Sequence, residues 1–508
     1  METLPGSVFV GRQREMGELK AALDDALSGQ GRVIMLVGEP GIGKTRTAEE
    51  LAAYAEKAGA QILWGWCCEE SGAPPYWSWV QPLRSYIQHQ DPEQLRSQMG
   101  AGAADIAEII PEVREKLPGL EPSPVLEPEQ ARFRLFDSIT SFLKNAAQSQ
   151  PLMLVLDDLH WADKPSLLLL HFLARQLKGT RILVVGCYRD VEVSIQHPVS
   201  NTMAQLSKEP IFRRLVLQGV SIEDTARFIE RKAGSRPSAE VVKTIYTLTE
   251  GNPFFLTEVV KLLSERGELG KNDIGKPQGI KVPVGVREAV GQRLNRRSAS
   301  CNRMLTIASV IGREFNLELI TRLMEDTSEE TLLEGLEEAL AGGMVESSPE
   351  SAGSYRFTHA LIQNTLASEL SSARRARLHE RIGEALEALY GVNSEVNAST
   401  LAYHFSEAMP MVGSEKLVRY SLLAGDRALA TYAPEEALVH FERALTAKEG
   451  QSEDAETAAL LFGLGRAQLA VFPRQRMPEA MANLSRAFDY YVKAGDIDRA
   501  VAVAESPL

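Results

Sequence analysis

Along residues 1 to about 220, short runs of consecutive apolar positions alternate with stretches whose apolar residues return every three or four places. That alternation predicts an α/β domain built on a parallel sheet. The expected strands are Val33–Val37 (VIMLV), Gln61–Trp66 (QILWGW), Leu152–Leu156 (LMLVL), Arg181–Tyr188 (RILVVGCY) and Arg214–Leu217. Their near-continuous apolar character suits strands covered on both faces. A Pro-rich stretch with Pro111, Pro118, Pro122, Pro124 and Pro128 breaks the alternation and reads as a surface excursion. From Ser221 onward the period is helical, over 221–265 and 285–390. Between these segments, Gly267–Val284 is rich in Gly, Lys and Pro and reads as a linker.

The tail from about residue 415 resembles itself. LLAGDRALATYAPEEALVHFERAL (422–445) is echoed by FGLGRAQLAVFPRQRMPEAMANLSRAF (462–488), and a third unit opens at Gly495-Asp496. Small residues recur where paired helices would touch, and a Pro opens the second helix of each unit. The repeat is about forty residues, longer than the 34 of a tetratricopeptide unit, so an α-solenoid of helical hairpins is expected. The sequence stops just after a helix begins, without the polar cap a solenoid needs, and reads as truncated.

Composition narrows the class of protein. The 508 residues are 44% hydrophobic and 24% charged, the balance of packed domains and not of disordered or fibrous chains. A net charge of −13 disfavours non-specific binding to a phosphate backbone. The four cysteines, Cys67, Cys68, Cys187 and Cys301, form neither a metal-binding pair nor a disulfide framework. METLPGSVFVGRQRE is not a signal peptide, and the apolar run around Leu167–Leu170 is far short of the ~20 residues that span a bilayer. A cytoplasmic protein without membrane partners is the expectation.

The strongest chemical signal is Gly38-Glu39-Pro40-Gly41-Ile42-Gly43-Lys44-Thr45, which fits G-x-x-x-x-G-K-[ST]. It follows the strand VIMLV and opens a helix, the context that identifies a phosphate-binding P-loop. Glycines Gly38, Gly41 and Gly43 let main-chain N–H groups curl around phosphate oxygens, and the helix N-terminus adds positive potential. Lys44 can bridge the β- and γ-phosphates of ATP, and the Thr45 hydroxyl can ligate Mg²⁺. The strand Leu152–Leu156 delivers Asp157-Asp158, with Asp157 placed to orient the metal and Asp158 to polarise the attacking water. An Asp at the second position reaches one methylene less far than a Glu, so slow hydrolysis is expected. Arg189 follows the next strand, at the carboxyl edge where ligands bind open α/β sheets, and can sense the γ-phosphate or pair with Asp190. His160 and Trp161 receive no chemical role.

Several strings together resemble the AAA+-related signal-transducing ATPases with numerous domains. Val10-Gly11-Arg12-Gln13-Arg14-Glu15 is similar to that family's opening box, with Gln13 replacing an acidic residue. DDLHWAD (157–163) resembles the acidic motif of the branch found in large LuxR-type regulators and beside soluble adenylyl cyclases. Gly251-Asn252-Pro253-Phe254-Phe255 resembles the G-x-P box of the helical lid, and Arg356-Phe357-Thr358-His359-Ala360-Leu361-Ile362 the winged-helix motif. The resemblance implies a five-stranded P-loop ATPase domain over 7–220, a helical lid over 221–280, a winged-helix region over 281–395 and tetratricopeptide-like repeats over 396–508. It also implies that Arg12 lines the adenine edge, Pro253 packs on the base and His359 touches the β-phosphate of ADP. Read from the residues alone, G-N-P is also a common helix-initiating turn, and a lone His amid apolar residues is often a core His.

Other clusters invite structural readings. Pro74-Pro75-Tyr76-Trp77-Ser78-Trp79 is expected to cap the sheet edge, and Arg374, Arg375, Arg377 and Arg381 to form a solvated face. The functional expectation is a weak ATPase used as a switch: ADP resting, ATP-bound when self-associating, with a protein or small-molecule inducer on the repeats. A LuxR-type DNA-binding regulator is the alternative, but no basic recognition helix follows residue 415, so DNA contact would need a further domain. A third reading, the regulatory part of an adenylyl cyclase, lacks a separate domain for the cyclase metal-binding aspartates.

Overall fold

The computed structural model describes residues 8–67, 72–123, 126–189, 197–233, 237–265, 297–348, 353–358, 360–391, 395, 397–450 and 452–506. Among them, five strands form one sheet: β1 (Arg32–Val37), β2 (Gln61–Trp66), β3 (Leu152–Asp157), β4 (Ile182–Tyr188) and β5 (Phe212–Val216). Their order is β2-β3-β4-β1-β5, with parallel ladders for β1–β4, β1–β5 and β3–β4. The central strands β3 and β4 are buried along their whole length, as uninterrupted apolar runs require. Strand β5 begins two residues before the apolar pattern suggests, because an edge strand tolerates the exposed Arg213 and Arg214. On one face, alternate residues Ile34, Leu36, Met153, Val155, Leu183, Val185 and Cys187 pack with the helices Gln13–Leu27 and Lys44–Lys57.

Contacts divide the chain into two units, each assembled from three stretches: 1–64, 146–160 and 177–369 in the first, and 65–145, 161–176 and 370–508 in the second. In the first unit the sheet is followed by helices Ile222–Ala233, Ala239–Thr249 and Pro253–Glu265 around a core of Phe228, Ile229, Ile245, Leu256 and Val260. Val8 and Val10, from the start of the chain, pack on this same core. The stretch Gly267–Val284, read as a linker, lies outside the described residues.

Beyond it come the helix Ala299–Ile311, β6 (Glu314–Asn316), helices Leu317–Leu323 and Glu329–Ala341, β7 (Val345–Ser347) and β8 (Ser354–Phe357). The strands make an antiparallel sheet ordered β6-β8-β7.

In the second unit, the described residues of 118–127 run irregularly and largely exposed, as expected of a surface excursion, and helical elements flank them. Pro111 caps a helix at Glu112–Lys116, Pro128 opens the long helix Pro128–Ser149, and Ile110, Val113 and Leu117 are completely buried. Proline's fixed φ suits a helix start, which accounts for Pro111 and Pro128 at the two ends of the stretch. Tyr76 and Trp79 are also fully buried. Trp79 donates its indole N–H to the Ser166 carbonyl at 3.1 Å, and Gly65 on β2 leaves room for the Ser78 carbonyl, so the aromatic cluster covers the end of the edge strand.

Helices Ser372–Tyr390, Ala398–Val412, Glu415–Ala430, Pro434–Ala447, Ala455–Val471, Met477–Ala494 and Ile497–Ala504 complete this unit. Their spacing is set by glycine facing large side chains: Gly383 against Phe405, both Gly425 and Gly463 against Phe441, and Gly465 against Leu484. A Cβ at any of these positions would enter its neighbour's volume, so the helices approach this closely only because the methyl is missing. Arg374, Arg375 and Arg377 are exposed, as expected of a solvated face. Among the described residues, no helix is long and apolar enough to cross a membrane.

Candidate functional site

The turn after β1 places Gly41 and Gly43 at φ +79° and +97°, a region open to glycine at little cost. Gly43 is the residue before the helix Lys44–Lys57, whose N-terminus has no side-chain cap and no acidic residue in its first turn. The first N–H groups of a helix lack intrahelical acceptors, so this end offers uncompensated donors and positive potential to an anion. Lys44 is buried and folded back on the turn, donating to the carbonyls of Gly38 at 2.8 Å and Glu39 at 3.0 Å. Burial lowers its affinity for a proton, while Cys187, Asp158 and Asp157 oppose that shift.

Strand order brings the second half of the site to the first. β4 lies between β1 and β3, so the turn after β1, Arg189 after β4 and the acidic pair at the end of β3 share the carboxyl edge of the sheet. Thr45 donates its hydroxyl to Asp157 Oδ2 at 2.8 Å, joining the two halves directly. Asp157 is completely buried, and its Oδ1 accepts the Asp158 N–H at 2.9 Å. Asp158 adopts a left-handed backbone at φ +55°, uncommon for a residue with a side chain. Arg189 is buried, and its charge acts on Lys44, Asp158 and His160.

One partner has no counterpart in the sequence reading. Arg313, immediately before β6, donates from Nη1 to Asp158 Oδ2 at 2.5 Å, and His160 Nε2 lies 3.9 Å from Asp158 Oδ1. Burial, then the neighbouring Asp157, pushes the Asp158 carboxyl up to about 6 against the pull of Arg313, Arg189 and Lys44. The same surroundings keep His160 neutral, with burial first and Arg189 and Lys44 next, lowering its pKa to about 2. Nothing local in Ile311-Gly312-Arg313-Glu314 marks the arginine as a site residue; its meaning comes from a contact across 155 positions.

The remaining expected residues fall as follows. Asn252-Pro253-Phe254 packs on the phosphate turn: Asn252 Nδ2 donates to the Pro40 carbonyl at 3.0 Å, and the Phe254 N–H to the Gly41 carbonyl at 3.2 Å. A Cβ on Gly41 would stand 2.8 Å from Phe254 Cβ, and one on Gly43 would stand 3.9 Å from Pro253 Cγ. Arg12 is buried and donates from Nη2 to the Ile42 carbonyl at 2.8 Å, with Glu15 3.6 Å away. Its observed partner is thus the main chain of the turn. His359 lies outside the described residues.

These residues fit a nucleotide with its metal. An uncapped helix N-terminus beside a buried lysine suits a polyphosphate. A hydroxyl and a carboxylate oxygen 2.8 Å apart suit a hard divalent cation that takes its other ligands from phosphate and water. Among the described residues there is no group of three or more His, Cys, Asp or Glu that could hold an ion alone. A bound Mg²⁺ would supply charge neutralisation for the phosphates.

Fold and site together define a P-loop ATPase domain. Residues 8–185 match the family model of the AAA ATPase domain. The resemblance carried by the phosphate turn and the acidic pair therefore holds over that span. An uncharacterised protein of Rhizobium meliloti (strain 1021) is 23% identical over 95% of this chain, which spans 47% of that relative's length. Among solved structures, a STAND protein (signal transduction ATPase with numerous domains) with a tetratricopeptide repeat sensor from Pyrococcus horikoshii is 15% identical. That match covers 98% of this chain and 73% of the other at a TM-score of 0.43. A Walker-type ATPase of Pyrococcus abyssi is 13% identical over 71% of this chain and 96% of its own, at a TM-score of 0.32.

Proposed function

We propose that the chain is a nucleotide-driven signalling switch that binds ATP with Mg²⁺ and hydrolyses it slowly, resting with ADP and self-associating with ATP. The single observation that carries this reading is the hydrogen bond from Thr45 to Asp157, a hydroxyl and a carboxylate oxygen side by side near the uncapped helix N-terminus and Lys44. Contacts made to a γ-phosphate and its metal exist in only one nucleotide state, so they can bias a two-state equilibrium. Lys44 and Arg189 would neutralise phosphate charge, Thr45 and Asp157 would hold the ion, and Asp158 would accept the proton of the attacking water.

Asn252-Pro253-Phe254 supports a lid role for 221–280, because it bonds the phosphate turn and would register a change there. In this reading 7–220 is the ATPase domain, 281–395 the winged-helix joint and 396–508 the repeat region that takes a protein or small-molecule signal in the cytoplasm. Arg12 and Pro253 would frame the nucleotide, and His359 would meet the β-phosphate of ADP. Transcriptional output would need a DNA-reading domain in addition.

The test is Lys44→Ala with binding read by calorimetry and fold by circular dichroism. We expect ATP affinity to fall at least about a hundredfold, since a lost charge-assisted contact costs roughly 3 kcal/mol, with the spectrum unchanged. Unchanged affinity removes the assignment. Light scattering with ATP and with ADP tests the self-association.

A further inference from the structure

Asp158 is the carboxylate to which the reading above gives the proton of the attacking water, yet one of its oxygens is already occupied. Arg313 Nη1 donates to Oδ2, a charge-assisted hydrogen bond. A general base must reach its proton at about 2.6–3.2 Å with a free lone pair, and a guanidinium seated on Oδ2 fills the approach to that oxygen. Arg313 is not a loose surface side chain. Its own carbonyl accepts the Phe357 N–H at 2.9 Å, and the next residue, Glu314, pairs with Arg356 in the β6–β8 ladder. The guanidinium is therefore delivered by the small antiparallel sheet. Asp158 is equally fixed, by its left-handed backbone and by its N–H on Asp157 Oδ1.

We propose that Arg313 is a latch: while it holds Asp158, nucleotide can be bound but the water cannot be activated, and hydrolysis waits for the β6–β8 sheet to withdraw its arginine. The inference rests on the ATPase reading above and adds its control. Two features separate binding from turnover. The Thr45–Asp157 join does not involve Arg313, so the metal-binding oxygens remain in place whether the latch is open or shut. Lys44 and Arg189 also act on Asp158, so its charge keeps compensation after release.

The experiment measures ATP binding by calorimetry and turnover by phosphate release for the full chain and for Arg313→Ala, Arg313→Gln, Asp158→Asn and the Asp158→Asn/Arg313→Ala pair. The Gln variant keeps a hydrogen-bonding group in case truncation to Ala unfolds the protein. We expect both Arg313 variants to keep ATP affinity and to raise kcat by roughly tenfold to a hundredfold, inside what a positioned general base contributes. The double variant should be no faster than Asp158→Asn, because the gain must pass through that carboxylate. Unchanged or lower kcat with intact ATP binding would overturn the latch while leaving the ATPase reading in place. Failure of the unaltered chain to bind ATP would overturn both.

Discussion

In the turn after β1, Gly41 and Gly43 are needed for their backbone: φ of +79° and +97° holds the chain open around an anion. In the helical array, Gly425 and Gly463 sit inside regular helices, and their value is the missing methyl that lets Phe441 fit against both. The same residue type thus shapes a binding surface in one region and a packing distance in the other. A substitution should consequently be read as lost affinity in the first case and as lost stability in the second.

That contrast can be broken in three ways. Phe441→Ala removes a fully buried ring lying against two glycines and should destabilise the array by about 3–5 kcal/mol with ATP affinity unchanged. Urea titration alongside calorimetry checks it, and an equal loss of affinity would show that the two regions are not independent. Gly43→Val should do the reverse. Forcing a β-branched residue to positive φ costs about 1–3 kcal/mol, which appears as a roughly tenfold to hundredfold loss of ATP affinity with little change in the array's unfolding midpoint.

The third probe is acid. His379 and His404 bring their Nδ1 atoms within 2.9 Å in the second unit, beside Tyr403. Burial lowers their pKa values to about 4 and about 3, helped by Arg375 on the first and by His379 on the second. The folded state therefore binds fewer protons than an unfolded chain with an ordinary imidazole. The stability they contribute is fully present above about pH 6.5 and is lost as pH falls toward 4 and then 3. His404→Phe should reduce the acid slope by up to about one proton in a pH series of unfolding midpoints, leaving ATP affinity at neutral pH unchanged.

Much of this was legible along the chain. VIMLV and LMLVL are strands because both their faces are covered, and an unbroken apolar run records that directly. The phosphate turn was equally plain, since the backbone path itself demands glycine at fixed spacing. Strand β5 blurred because Arg213 and Arg214 face water at the sheet edge. Pro118 and Pro122 mark irregular, exposed chain as read, while Pro111 and Pro128 also stand at helix starts, a role the residue type alone does not separate from a break.

Long-range contacts were missing altogether. Arg313 on Asp158 depends on folding across 155 positions, and the ion pair of Arg132 with Glu435 within the second unit depends on folding across 303. Neither leaves a local period or motif. The assembly of 65–145 with 370–508 rests on such contacts and could not be read from strings.

The N-terminal stretch bridges two parts of the first unit. Val8 and Val10 sit in the core of the three helices after β5, while two residues later Arg12 grips the carbonyl of Ile42. This short strap ties the helical bundle to the phosphate turn, and it is anchored by side chains rather than by a strand ladder. An affinity tag or protease site placed directly ahead of Val8 would load it. Preparations that differ only in their N-terminal fusion should accordingly differ in nucleotide retention before they differ in melting temperature.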